Sequence, residues 1–454
     1  MSLRTSFCVF SFCLLISYPL NAQNYPDQHY VLRIDSLVQY IETNDGLELS
    51  GDGKRLLLQP DRTDGYIVLR PQYAQQPFNH GLPSWNGSAP ENSSSFKIQM
   101  RFPYGTGWSP WLTVGFWRAN VWSAYGSTGY GGGLVDYDYV KLNSYVSAWQ
   151  FKIIMTRTGV GQSSPTLYKL SFAVSDSRTT SSLDFNQILN DKPAAILIPT
   201  NFIYQYDVDP DIGGSICSPT SVSMILRSYN ITVDPLQFAR ATLDPWYNIF
   251  GIWPRVVQNA AEYGLDGAVT RYRTWSQARG VLANGGRIAM SVGLPLYSGH
   301  LMMLAGFNTN GDPIVHDPAK FNGYSYVFNK SDLSHSWFDK GGVAYTFFPD
   351  ETQVASADQT PVDGSLPDAY RLFQNYPNPF NPSTTIQFST AESQFTTLKV
   401  FDLLGREVSL LVDQKLEPGV HSVTFDASGL PSGVYFYRME AGNFVQTMRL
   451  VILK

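Results

Sequence analysis

Gly213-Gly214-Ser215-Ile216-Cys217-Ser218-Pro219-Thr220-Ser221 runs directly into Val222, Ile225, Leu226 and Tyr229, apolar residues at helical spacing. The stretch reads as a helix start. Pro219 suits the first turn because its missing N–H is one the helix could not use there. Cys217 then stands among unsatisfied backbone N–H groups and at the positive end of the helix dipole, both of which favour a thiolate. A helix that begins on a cysteine, with sheet-forming sequence to follow, sets the expectation for the whole middle of the chain.

The cysteine count sharpens this reading. Of three cysteines, Cys8 and Cys13 lie in a leading segment in which Arg4 precedes an apolar run and Ala22 offers a cleavage point. Residues 1–22 are therefore expected to be an export signal, lost on maturation. Cys217 would remain alone, without an internal disulfide partner, in an oxidising compartment. A lone cysteine is commonly a small buried hydrophobe. The helix-mouth position favours a nucleophile instead.

A cysteine nucleophile needs an imidazole within reach and a third group to orient that imidazole. Of six histidines, His29, His80 and His421 fall outside the middle segment, leaving His300, His316 and His335. His300 opens the run His300-Leu301-Met302-Met303-Leu304-Ala305-Gly306-Phe307. A turn at Asn308-Thr309-Asn310-Gly311 then returns the chain through Asp312 to Asp317, a hairpin pattern. If the loop holds an even number of residues, His300 and Asp317 share a face and His316 takes the other. Asp317 would lie one diagonal step from the partner of His300.

The order Cys-Ser-Pro-Thr-Ser, Gly-His-Leu and His-Asp-Pro-Ala over roughly residues 195–349 resembles the papain-like double-glycine (bacteriocin-processing) peptidase family, in its extracellular stand-alone branch. The resemblance implies Cys217 as nucleophile, His300 as general base and Asp317 as the orienting residue. It also implies that Gln205, in Tyr204-Gln205-Tyr206, lines an oxyanion hole with the backbone N–H of Cys217. Gln205 stands farther from the cysteine than the family usual, and Ser218 occupies a position where the family commonly has glycine. Trp337 resembles the family's closing aromatic; a core tryptophan is the equally simple reading.

Other chemistries find less support. Asp207, Asp209 and Asp211 alternate like the first ligands of a calcium loop, but the glycine comes one place late and no glutamate follows at the bidentate position. A solvated acidic loop fits them better. No His-Glu-x-x-His or paired Cys-x-x-Cys is present, so no metal and no cofactor is expected. A net charge of −5 without a basic cluster argues against a nucleic-acid partner. After the leader no apolar run reaches membrane-spanning length.

With 454 residues, 14% aromatic and only 15% charged, the chain should form several well-buried, β-rich domains. Residues 23–185 read as a β-sandwich, with alternation in Tyr66-Ile67-Val68-Leu69 and Phe96-Lys97-Ile98-Gln99-Met100. Trp85, Trp108, Trp111, Trp117, Trp122 and Trp149 lie here, either as core or as a face for a carbohydrate or cell-surface ligand. The glycine-rich stretch 126–133 reads as a loop. Residues 186–349 read as α+β, with helices at 217–229, 235–243, 253–263 and 274–283 before the strand Arg287-Ile288-Ala289-Met290-Ser291-Val292. Residues 350–366 are polar and read as a linker.

Residues 367–454 read as short strands with turns at Leu404-Gly405-Arg406 and Ala441-Gly442-Asn443, a small immunoglobulin-like β-sandwich. Asn375-Tyr376-Pro377-Asn378-Pro379-Phe380-Asn381-Pro382-Ser383, Gly433-Val434-Tyr435-Phe436-Tyr437 and the terminal Leu450-Val451-Ile452-Leu453-Lys454 closely resemble the type IX secretion C-terminal sorting domain. That resemblance implies the type IX secretion machinery as a partner and a secreted or outer-surface location. The expectation is thus an exported cysteine peptidase acting on a peptide or protein substrate. Two alternatives stand beside it: an amidase or acyl transferase on cell-wall peptides with the same residues, and a non-catalytic binding protein.

Overall fold

The computed structural model describes residues 26–90, 93–118, 128–136, 138–349, 370–372, 375, 380–417 and 419–453. The expected signal 1–22, the expected linker 350–366, Trp122 and residues 376–379 of the C-terminal motif lie outside them. Over the described residues the chain is mostly β-sheet, in several units, with its helices of eight or more residues gathered in the middle.

The N-terminal unit is organised by two long strands, Gln72–Ser88 and Tyr139–Arg157, paired antiparallel. Tyr139–Arg157 bends at irregularities between Lys141 and Ala148. Its first half pairs with Gln72–Ser88 and Gly133–Asp136; its second half pairs with Asp64–Leu69 and Ser94–Arg101. Alternation is the reason: Phe96, Ile98 and Met100, like Phe151, Ile153 and Met155, point one way and are buried. Trp85, Trp117 and Trp149 are fully buried, Trp149 meeting Phe78 and Phe172 edge-on with centroids 5.9 and 5.3 Å apart. Arg101 lies over both Trp108 and Trp111. Of the stretch read as a glycine-rich loop, Gly129–Tyr130 forms a short strand against Gly133–Leu134, so its end is a tight hairpin.

In the middle unit, helices Cys217–Ser228, Pro235–Thr242, Trp253–Glu262 and Trp275–Ala283 fall within a residue of their sequence-based bounds. Asp234 caps the second by accepting from the N–H groups of Leu236 and Gln237, with Pro235 in the first turn. Strands Ile196–Leu197, His300–Phe307, Arg287–Val292, Val343–Pro349 and Leu265–Arg271 lie in that order, and Pro313–His316 pairs with His300–Phe307. The cysteine helix packs on His300–Phe307 and Arg287–Val292 and is buried from Ser218 through Leu226.

The two units are not separable bodies. Helix Trp253–Glu262 packs against Gln72–Ser88. Leu82 and Ala173 complete the middle core, while Ala261 completes the N-terminal one. Helix Trp253–Glu262 has no capping side chain of its own, and Asp138 of the N-terminal unit accepts the Trp253 N–H at 2.7 Å instead. Strand Leu265–Arg271 ends the middle sheet, where unpaired N–H groups would invite another strand. Gly267 and Val269 donate those groups to Asn86 Oδ1 and Ser84 Oγ, each at 3.0 Å.

The C-terminal unit holds a three-stranded and a four-stranded antiparallel sheet around its own core, which includes Ile386, Leu398, Val400, Tyr437, Met439 and Leu450. Gly442 and Asn443 make the two-residue turn between paired Ala441 and Phe444, Gly442 at φ +60°. The ends of the motif are tied in: the Asn375 N–H donates to Tyr437 Oη at 2.8 Å, and Phe380 exchanges backbone bonds with Val451 and Leu453.

Candidate active site

Cys217 is the first residue of its helix and is half-buried, packed against the core of the middle unit. The helix mouth is fixed on both flanks. Ser221 Oγ donates to Leu301 O at 3.0 Å, binding the helix to the strand that carries His300. Ser218 Oγ lies 2.8 Å from Tyr345 Oη, which gives that serine a structural task of its own.

His300 Nε2 is 2.7 Å from Asp317 Oδ1, with both side chains buried. The register behind this differs from the sequence argument. The loop holds five residues, 308–312, pairing Phe307 with Pro313. A bulge between Leu304 and Gly306 then shifts the pairing so that Met303 faces His316. Asp317 thereby returns to the face of His300. Gly306 is required at that bulge: at φ +154°, a Cβ there would lie 1.9 Å from Ile196 O.

The carboxylate of Asp317 receives three donors. Besides His300, Ala319 N–H reaches Oδ1 at 3.0 Å and Tyr297 Oη reaches Oδ2 at 2.6 Å. Burial alone would raise its pKa, yet these bonds and the His300 charge hold it below the usual carboxylate range. Burial likewise disfavours imidazolium, but Asp317 and Cys217 outweigh it and lift His300 to about 9. His300 acts on the Cys217 thiol; since Nε2 is engaged by Asp317, Nδ1 is the nitrogen left for sulfur. Burial pushes the thiol up, while His300 and the N–H groups of Leu301 and Ser218 bring it below its ordinary value. A thiolate–imidazolium pair is the state these partners favour.

Gln205 is 2% exposed and begins the short helix Gln205–Val208. Its N–H donates to Pro318 O at 2.9 Å, and its Nε2 to Gly213 O at 2.6 Å, linking the segment after Asp317 to the turn that leads into Cys217. Its second amide hydrogen is not needed for that bond. Its chain neighbours Tyr204 and Tyr206 pack on each other, and Tyr204 meets the exposed Phe321 edge-on.

The remaining candidates lie elsewhere. His316 is fully buried, accepts the Ser325 N–H on Nδ1 at 3.0 Å and stacks on Tyr324. His335 is half-buried, bonding Asp339 and stacking on Phe185. Trp337 is a core residue against Trp275 and Tyr272, its indole N–H on Val343 O. Asp207 sits within helix Gln205–Val208, and Asp209 lies 3.6 Å from Arg240 while accepting the Asp211 N–H. A cavity of about 1190 Å³ between the first two units is lined by His29, Lys169, Asp266 and Arg273, and does not include Cys217 or His300. Sequence reading missed Tyr297, whose surroundings, Leu294-Pro295-Leu296-Tyr297-Ser298-Gly299, carry no pattern beyond that of a loop.

Comparison with known proteins bears on both ends of this description. The profile of the Peptidase_C39 like family matches residues 198–345, and that of the secretion system C-terminal sorting domain matches residues 374–453. No curated protein matches. Among solved structures, PorZ, a surface component of the type IX secretion system of Porphyromonas gingivalis, is similar at 16% identity and TM-score 0.14, over 34% of this chain. This chain spans 21% of PorZ. Dimeric latent PorU of the same organism shows 11% identity and TM-score 0.17, covering 94% of this chain and 34% of PorU. The CBM51-2 and INT domains of Clostridium perfringens ZmpB show 10% identity and TM-score 0.14, over 95% of this chain and 82% of that one. Among the described residues no helix is long and apolar enough to cross a membrane. The chain thus carries a Peptidase_C39-like domain followed by a type IX sorting domain, which marks it for export to the cell surface or for secretion.

Proposed function

We propose that this protein is an exported cysteine peptidase in which Cys217, His300 and Asp317 act as a triad. The observation that carries the reading is the buried His300–Asp317 pair beside a free cysteine at a helix mouth. The Cys217 thiolate attacks the substrate carbonyl carbon, forming a C–S bond as the carbonyl oxygen takes the electron pair. The backbone N–H of Cys217 and the free amide hydrogen of Gln205 receive that oxygen. His300, protonated, gives its proton to the departing amine as the C–N bond breaks, leaving a thioester. Water then gives a proton to neutral His300 and adds to the thioester, releasing a carboxylic acid and the thiolate. Asp317 stays ionised throughout and holds the ring.

The three-domain plan belongs to the same proposal: a signal at 1–22, an N-terminal β-sandwich to 185, an α+β papain-like domain at 186–349, a linker at 350–366 and an immunoglobulin-like sorting domain at 367–454. The test is to incubate the mature protein with an epoxide thiol inhibitor and a mixed peptide library, reading both by mass spectrometry. Label on Cys217 together with new peptide termini supports the reading. Cleavage confined to amide bonds of wall peptides moves the assignment to an amidase. An unlabelled thiol and an uncut library overturn it.

A further inference from the structure

We infer that Tyr297 is a positioning residue, its hydroxyl fixing the outer oxygen of Asp317 and its ring backing His300, so that the imidazole is held toward Cys217. The inference rests on the peptidase reading above. A carboxylate bound to an imidazole through one oxygen can still rotate and tilt. Asp317 is wholly buried, and an unpartnered Oδ2 there would carry the full cost of desolvation. The Tyr297 O–H, 2.6 Å from Oδ2, removes that cost and defines the carboxylate plane together with His300 and Ala319 on Oδ1. The phenol ring lies 4.3 Å from the imidazole, centroid to centroid, at 36°. His300 is therefore held at its edge by Asp317 and on its face by Tyr297, two contacts made by one pair of linked side chains.

The loop that carries Tyr297 is anchored well enough for this task. Tyr297 N–H bonds Gly293 O, Leu296 N–H bonds Ser336 Oγ, and Gly293 N–H bonds Ser336 O, with Ser336 fully buried. Phe328 meets the Tyr297 ring edge-on at 6.5 Å and is in turn packed on Tyr326. The charged and titratable groups facing this cluster are His300, Cys217, Tyr326, Lys320 over the rings of Tyr326 and Phe328, and Lys340, whose Nζ bonds Val292 O. Apart from His300, which is on Oδ1, none of them gives Asp317 a donor in place of the phenol.

The test measures the rate of Cys217 alkylation by iodoacetamide against pH, on the full mature chain, for wild type, Tyr297→Phe, Tyr297→Leu and Asp317→Asn, with thermal melting alongside. Tyr297→Phe keeps the ring and removes one O–H. Asp317, short of a donor, takes up a proton more readily, and a neutral Asp317 no longer supports imidazolium. The acid limb of the profile should move to higher pH, with alkylation near the wild-type midpoint falling roughly tenfold, as loss of one hydrogen bond to a charged group implies. Tyr297→Leu should fall further, and adding Tyr297→Phe to Asp317→Asn should change little more. A folded Tyr297→Phe protein with the wild-type profile overturns the positioning role while leaving the triad standing. A wild-type thiol that alkylates like an ordinary cysteine, unaffected by His300→Ala, overturns the triad and this inference with it.

Discussion

Glu262 of the middle unit and Trp117 of the N-terminal unit meet across 2.7 Å, indole N–H on carboxylate oxygen. The same carboxylate accepts from Ser88 Oγ and the Ala89 N–H, at 2.8 and 3.1 Å, and Arg118 lies 3.8 Å away. Glu262→Ala should therefore strand three donors at once and lower stability by on the order of 2–4 kcal/mol, read by denaturant unfolding. Residues 186–349 expressed alone should fail to give a cooperative transition. A well-folded isolated middle unit would show that the shared core is dispensable.

Turnover should follow a bell in pH. The thiolate must be present, and its pKa lies below the ordinary thiol value, so the acid limb falls below that value. The imidazolium that protonates the leaving amine is present below about 9 and lost as pH rises through it, placing the basic limb there. His300→Ala should abolish turnover and slow alkylation of Cys217 at pH 6 at least about tenfold. Initial rates with any cleaved peptide from the library, taken from pH 5 to 10, provide the check.

Asp317→Asn should cut turnover by roughly a hundredfold or more, since an amide can hold the ring but stabilises imidazolium less well. His316→Ala should act differently. It removes a fully buried ring stacked on Tyr324 and leaves the Ser325 N–H without its acceptor, so stability should fall by about 2–4 kcal/mol. Alkylation of the folded fraction should be unchanged. Stability and thiol reactivity measured on both variants separate the two roles, and reversed results would mean the faces of the hairpin are wrongly assigned.

Ending the chain at Leu366 should leave a folded, thiol-reactive protein, because the C-terminal unit closes its own core. The truncated protein should stay in the periplasm, since the sorting domain is gone. Fractionation of cells expressing both forms tests the location, and alkylation of the purified product tests the site.

Much of the middle unit could be read from sequence because its signals are local. Helix starts carry Pro219, Asp234-Pro235 and Thr274, and the strand at Arg287–Val292 is a plain apolar run. The sequence pattern puts His300 and Asp317 on one face through an even loop, whereas the protein uses an odd loop and a bulge between Leu304 and Gly306. A bulge depends on a neighbouring strand, here Ile196–Leu197, that no hairpin pattern contains. Tyr297, Asp138 and Glu262 were invisible for the same reason. Each acts on a partner far away in sequence or across a loop, and nothing in its own neighbours announces the contact.

Ser84 and Asn86 give side-chain acceptors to the outer strand of the middle sheet, and Asp138 caps a helix belonging to the other unit. The N-terminal unit is thus not a module that recombination could lift out and attach to another enzyme. Without it the Gly267, Val269 and Trp253 N–H groups would lose their acceptors. Relatives of this protein should inherit the two units as one block, drifting together in sequence, while the C-terminal tail remains free to be exchanged.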